Sequence, residues 1–506
     1  RAAQTSGVAR DFPTARPAVA YLVGGLFGAL VAVAAVVALE TEPPGTVAWA
    51  AAGALAAAAA ATVFQRWPDN DFDSRFATDR PLAAGLGQAA AILAFVAVAW
   101  AGREERSAPH PRRSIAWPTP RITRAHAQVV ASAAVVGLLA ALVRAVSAPE
   151  AVPPGYADAV EALRTGNGFV SASHPPLTAV LTALAPVGTT LLTAVVTMAT
   201  AAVIGVLGER VGGRRAGVVS ALLAATLPSV WGQQLPEALA ALGGAAALAW
   251  AWPDRLSPRR AVLAGLAVAA ASLARPEATL LLPVVVAWVA VARGLDWRAA
   301  RLALVVIVVF LVGYGPWGTW MADVHGTYLP STNLGATLAG ANTPSTQRGS
   351  ASGAFDAAGV SGAPLQPGLG EAARDRALRS VAWDQVDKGR LPGVAIIRVL
   401  RGWELWWPGN ARAVRAERGL PFPGGTVGGL AEVAVSVLAL TSLVVRRREW
   451  RRLLPFLVLP VLFTIESALL FGDRGLRAWV VPVVVVLAAV ALARDRPRPA
   501  HARSDG

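Results

Sequence analysis

Apolar runs of about 20 residues recur along the chain, separated by short arginine-bearing stretches, and few folds accommodate that pattern. A run of this length crosses a bilayer as a helix, because a helix satisfies its own backbone groups inside hydrocarbon. The runs are continuous and rich in Ala, Leu and Val rather than alternating, which excludes a membrane β-barrel. Charged residues make up 15% of the chain, well below the roughly one quarter of a soluble domain. The expected fold class is an all-α polytopic membrane protein, with about ten spans after residue 125 and an N-terminal module of about three more.

The net charge of +15 does not point to nucleic acid, because arginines cluster in short loops between apolar runs. Among these loops are ERVGGRR (209–215), WPDRLSPRR (252–260), RGLDWRAAR (293–301) and RRREWRR (446–452). If each apolar run after residue 125 crosses, all four fall on one side, as the positive-inside rule asks of a cytoplasmic face. The stretches 146–174, 233–237, 275–277, 320–425 and 472–477 then lie outside. Cysteine is absent, which excludes disulfides and thiolate metal sites. The first apolar run has no small-residue cleavage site close behind it and reads as a span rather than a signal peptide.

This parity divides the chain. Residues 1–120 form an N-terminal transmembrane module and basic linker, and 121–320 a transmembrane core with its first external loop at 146–174. Residues 321–425 form one long external loop, 426–495 the C-terminal spans, and 496–506 a cytoplasmic tail. Within the long loop, the Gly/Ala/Ser/Pro-rich stretch 349–370 is expected to be flexible. The stretch 390–408 carries basic residues at helical spacing and several tryptophans, which suits a helix lying in the membrane interface. The apolar stretch from Pro175 to about residue 187 is short, and also reads as interfacial.

Chemistry-bearing residues concentrate outside. Tyr156–Leu177 places Asp158, Glu161 and His174 between two apolar runs. Glu237 begins another run, where a helix N-terminus also favours an acid. Arg275 and Glu277 share a turn between spans, and an ionisable pair at that depth is a functional candidate. Arg474 and Arg477 run against the positive-inside rule and call for a partner, either an anion or Asp473. Glu466, within an apolar run, is placed to pair with one of them.

The order of several motifs resembles that of bacterial GT-C glycosyltransferases of the family 39-like type, which includes protein mannosyltransferases and aminoarabinose transferases, and in particular their actinobacterial members. The residues concerned are Tyr156…Gly166-Asn167-Gly168-Phe169…His174-Pro175-Pro176-Leu177, LGERVGGRRAG (207–217), LPSVWGQQLPEALAAL (227–242), GLAVAAASLARPEATLLLP (265–283), PSTNLGATLAGAN (330–342), GRLPGVAIIRVLRGWELWWPG (389–409) and FGDRGLRAWVVP (471–482). The resemblance covers about 125–495. It implies a GT-C-like bundle in the plasma membrane, transferring a sugar from a polyprenyl-phosphate donor to a glycan, lipid or protein acceptor of the cell envelope on the extracytoplasmic face.

By that resemblance a carboxylate acts as base on the acceptor hydroxyl. Ala151 and Val152 stand where the family has its first-loop Asp, so Glu150, Asp158 and Glu237 are the candidates. Tyr156, His174, Glu277, Asn333 and Asn342 would bind substrate, and Arg275, Arg474 and Arg477 would hold the phosphate. Trp320-Met321 stands where the family has Arg-Asn. No metal ligand set is seen. A divalent cation is compatible with the site but not required, since arginine can neutralise one phosphate. Two other classes stay open: a non-catalytic relative that binds lipid-linked sugar, and a transporter or flippase. Against the latter, the chain shows no internal repeat and no matched pair of broken spans.

Overall fold

The computed structural model describes residues 152, 155–185, 188–231, 233–253, 256–293, 296–348, 352–403, 424–473 and 475–493. The N-terminal module, Glu150, Arg474, and Trp406 and Trp407 of the tryptophan cluster lie outside these residues. Every regular element among the described residues is helical.

The first loop holds α1 (Ala157–Arg164) and α2 (Pro176–Leu184). The bundle follows with α3 (Gly188–Gly212), α4 (Arg214–Thr226), α5 (Leu235–Trp250), α6 (Pro258–Ala274), α7 (Leu281–Ala292) and α8 (Trp297–His325). The segment after α8 contains α9 (Leu334–Ala341), α10 (Glu371–Gln385) and α11 (Leu391–Gly402). The chain then runs through α12 (Gly424–Val445), α13 (Leu454–Leu469) and α14 (Val481–Leu492). Breaks fall where backbone chemistry requires them. Ser257 and Asp296 cap the N-termini of α6 and α8 with their side chains, and Gly326, in the left-handed region, ends α8.

Among the described residues, two helices, Thr189–Gly212 and Trp297–His325, are long and apolar enough by themselves to cross a membrane. The other apolar stretches of described helix have 10–17 residues. The apolar run at about 216–232, which reads in sequence as one span, is broken at Leu227 into α4 and a single turn at Pro228–Trp231.

α5 is the axis of the bundle. Nearly all its side chains are buried, and it packs on α3, α6 and α14. Small residues permit the approach. A β-carbon on Gly243 would sit 2.7 Å from that of Ala271 on α6, and one on Gly265 would sit 2.8 Å from the Val306 carbonyl on α8. The basic loops meet at the far end of α5. There Arg446 donates to Val211 O (3.1 Å), Trp288 to Arg452 O (3.0 Å), and Arg293 to Leu256 O (3.1 Å).

The long loop is more ordered than its composition suggests. Between α9 and α10 the chain forms the short helices Pro344–Gln347 and Ala357–Ser361, the latter capped by Asp356, and Phe355 packs on Phe471 with ring centroids 5.3 Å apart. The expected flexibility of 349–370 is therefore corrected for these residues: side-chain caps and an aromatic contact hold the stretch. The basic side chains of α11 at 398 and 401 turn inward. Arg398 and Arg401 are buried, while Leu391 and Ile396 are exposed. Arg398 donates to Asn342 Oδ1 (3.0 Å) and to the carbonyls of Ala341, Ala468 and Leu469, which are orphaned at the ends of α9 and α13.

Candidate functional site

At the other end of α5, four separate stretches converge on one guanidinium. Arg275 closes α6 in extended conformation, just before Pro276 opens a 3-10 turn. Its Nη1 donates to Glu237 Oε1 at 2.7 Å, and its Nε and Nη2 form a fork on Glu277, both at 3.2 Å. Glu237 stands in the first turn of α5, behind Pro236, because the run there starts a new helix. Burial opposes the Arg275 charge, but Glu277 and Glu237 outweigh it and hold the guanidinium charged.

A third carboxylate, Glu466 in the last turn of α13, lies within the field of Glu277 and Arg275. The turn after α13 completes the ring. A β-carbon on Gly475 would lie 3.3 Å from Glu237 Oε1, and 3.7 Å from Asp473 Oδ1. Among the described residues the carboxyl groups of this cluster outnumber its guanidinium; Arg474, between Asp473 and Gly475, lies outside them. Glu237 Oε2 is buried and finds no partner in another residue among those described. Glu466 Oε2 is likewise buried, and the Trp479 indole lies within hydrogen-bonding reach of the Glu466 carboxyl.

The first loop forms the adjoining wall. Tyr156 and His174 stack at 4.6 Å, with planes 20° apart. Gly155, at φ +83°, admits this stack, since any side chain there would collide with His174 Nε2. Burial, reinforced by the nearby Arg275, pushes the His174 imidazole down to about 4, so it is neutral at pH 7. Burial likewise raises the Tyr156 phenol well above its ordinary value. His174 therefore presents a neutral donor and acceptor rather than a phosphate-binding cation.

The structure thus gathers Tyr156, His174, Glu237, Arg275 and Glu277, and leaves other expected residues elsewhere. Asp158 is exposed on α1. Arg477 is 1% exposed and pairs with Glu432 of α12 at 3.1 Å. Asn342 is taken up by Arg398 and by Leu338 O (2.8 Å). Asn333 only precedes α9, with no side-chain cap. Glu466 faces Arg275 rather than Arg477.

Glu371 was not singled out from sequence, where it looks like an ordinary first-turn acid of α10. Its Oε2 accepts from Ala172 N (2.7 Å) and Thr332 Oγ1 (3.2 Å), and Thr332 N donates to Ala172 O (2.9 Å). It thereby ties the first loop to the segment after α8. No group of three or more His, Asp or Glu that could hold a metal occurs among the described residues.

No protein-family model matches the chain, and no curated protein matches it. Among solved structures, the apo oligosaccharyltransferase of Archaeoglobus fulgidus is similar at 14% identity and TM-score 0.41, over 72% of this chain and 50% of that one. A structure of an archaeal oligosaccharyltransferase from the same organism, with an inhibitory peptide and a dolichol-phosphate, is similar at 15% identity and TM-score 0.37, over 72% and 50%. A complex of the A. fulgidus oligosaccharyltransferase with Zn and sulfate gives 14%, TM-score 0.39, 72% and 48%. The chain spans about half the length of these proteins. Likenesses at this level assign no chemistry to the chain.

Proposed function

We propose that the protein is a GT-C-type membrane glycosyltransferase of the family 39-like kind, acting on the extracytoplasmic face of the plasma membrane. It transfers a sugar from a polyprenyl-phosphate donor to a cell-envelope acceptor. The observation that carries this reading is Glu237: a buried carboxylate at an expected outer helix end, one oxygen fixed by Arg275 and the other without a partner in another residue among those described. A base must present a free lone pair to the hydroxyl it deprotonates, in a fixed orientation. Glu237 meets both conditions. Asp158, exposed on α1, has free lone pairs but stands apart from this cluster, and Glu150 lies outside the described residues.

In this mechanism Arg275 orients Glu237 and opposes the burial that raises its carboxyl above the usual carboxylate range, which suits it to take up a proton, while the Tyr156–His174 stack stands alongside. Transfer forms a bond from the acceptor oxygen to the anomeric carbon and breaks the bond from that carbon to the phosphate oxygen. The acceptor proton goes to the base, and the lipid leaves as its monophosphate. Donor affinity comes from the lipid and sugar together, since the site lies where spans end.

The test is sugar transfer by the purified protein in lipid, using radiolabelled polyprenyl-phosphate sugars and envelope extract as acceptor. Wild type is compared with Glu150→Gln, Asp158→Asn and Glu237→Gln. Loss of transfer in Glu237→Gln alone supports the assignment. Donor binding with no transfer in any variant or in wild type would make the protein a non-catalytic binder of lipid-linked sugar. Neither binding nor transfer would return the transporter reading.

A further inference from the structure

We infer that Glu371 is a positioning residue for the transfer site: through the Ala172 amide it sets where the first loop stands beside Arg275 and Glu237, and it does so as a hydrogen-bond acceptor rather than as a charge. The inference rests on the glycosyltransferase reading and adds a residue outside the cluster on which the geometry of that cluster depends.

A first-turn acid of a helix is ordinarily accounted for by the macrodipole. Glu371, in the first turn of α10, reaches instead across 199 residues. Its Oε2 accepts from Ala172 N at 2.7 Å and from Thr332 Oγ1 at 3.2 Å. Ala172 is fully buried, so its N–H needs an acceptor from the protein. Its carbonyl accepts from Thr332 N at 2.9 Å, so the segment after α8 holds both backbone groups of this one residue.

The chain from Ala172 to the site is short and stiff. Ser171 Oγ donates to Ser173 Oγ (2.9 Å) and accepts from Ser173 N (3.2 Å). His174 follows, and then Pro175 and Pro176, whose rings fix their φ angles and start α2. α2 packs on α6, which ends at Arg275, and on α5, which carries Glu237. A displacement of Ala172 therefore passes to the His174 ring and its stack on Tyr156.

The other side of the bond is equally fixed. One turn after Glu371, on the same face of α10, the buried Asp375 accepts from Gly335 N at the start of α9. The far end of α9 is tied by Arg398 to the end of α13. Glu371 is thus carried by a segment anchored on α13 and bonded to the first loop. Both donors to its Oε2 are neutral, and a carboxamide oxygen can accept from them in place of a carboxylate.

The experiment compares wild type with Glu371→Ala, Glu371→Gln and Thr332→Val, each as the whole chain in lipid. It reads amide hydrogen exchange in 169–177, and kcat and KM for transfer from a radiolabelled polyprenyl-phosphate sugar to envelope extract. Glu371→Ala should raise exchange there by about tenfold or more. It should also lower kcat by about tenfold to a hundredfold, with the donor KM within about threefold of wild type. Glu371→Gln should stay within about threefold of wild type in both readings, because the acceptor is kept. Thr332→Val removes one of the two bonds and should move both readings the same way by a smaller factor, so the inference stays testable if Glu371→Ala does not fold. A kcat as low in Glu371→Gln as in Glu371→Ala, with exchange unchanged in Glu371→Gln, would make the charge itself the working group and overturn the inference. Faster exchange in Glu371→Ala at unchanged kcat would reduce the bond to a structural tie, and no change in either reading would remove even that; both overturn it. If wild type transfers nothing, the glycosyltransferase reading fails and the positioning role with it. The exchange measurement then still shows whether the tie exists, so the two failures are told apart.

Discussion

Breaking the Arg477–Glu432 pair separates its role as an anchor from the phosphate-binding role expected from sequence. The two side chains are 2% and 4% exposed, with Nη2 and Oε2 3.1 Å apart. Glu432 Oε1 also accepts from Ser229 N at 2.9 Å, so one carboxylate joins α12, the turn at Pro228–Trp231 and the loop before α14. At an effective dielectric of about 20, the Coulomb attraction at this separation is about 5 kcal/mol, much of it offset by desolvation of both ions. Removing Arg477 leaves the buried Glu432 carboxylate without its guanidinium, and removing Glu432 takes the ion pair from Arg477, each at a cost of about 3–5 kcal/mol. Glu432→Gln and Arg477→Met should therefore each lower the thermal midpoint in detergent by about 5 °C or more. The double variant Glu432→Leu/Arg477→Met should recover most of that loss, because no buried charge is left alone. If Glu432→Gln leaves the midpoint unchanged while Arg477→Met weakens binding of bare polyprenyl phosphate, Arg477 serves the ligand and the anchor argument is wrong.

Other consequences are open to direct measurement. Glu237→Gln should reduce transfer by about 10²–10⁴-fold, while Asp158→Asn stays within twofold of wild type; equal losses in both would remove the special status of Glu237. His174 is neutral in the folded protein and titrates near 4, below its unfolded value, so the unfolded chain takes up the proton first as pH falls. Stability is full above about pH 6.5 and declines by at most about 3 kcal/mol down to pH 4; thermal unfolding of His174→Asn should show a flatter profile over that window, and an identical profile would discount the burial argument. Arg398→Gln should raise hydrogen exchange in both 334–342 and 468–475, because the guanidinium bridges the ends of α9 and α13; a change confined to α11 would contradict that bridge. Gly243→Val should destabilise the bundle by about 1–3 kcal/mol by wedging α5 from α6, read as a lowered midpoint in detergent.

Much of the fold was legible because hydrophobic length and arginine placement are local properties. The apolar runs locate the bundle helices, and the parity of basic loops sorts their connections into the two groups that meet at opposite ends of α5. Residue type and turn context also marked Glu237, Arg275 and Glu277, since an ionisable group at the end of an apolar run carries a desolvation cost that needs a reason. Composition misled at 349–370, where small residues suggested a loose chain but Asp356, Phe355 and Phe471 hold it.

What sequence spacing does not contain is which charge meets which. Arg275 and Glu237 are 38 residues apart, Arg477 and Glu432 are 45 apart, and Glu371 reaches Ala172 across 199. These pairings follow from how closely glycine and alanine let the helices approach, a three-dimensional property with no periodic signature. The same packing turned Arg398 onto helix-end carbonyls, and left Glu237 Oε2 without a partner in another described residue. From the sequence alone the chain is a helical membrane protein with acids and arginines at its outer turns. The tertiary structure decided which of those groups neutralise each other and which stay available to a ligand, because a buried charge is settled by its nearest neighbours in space.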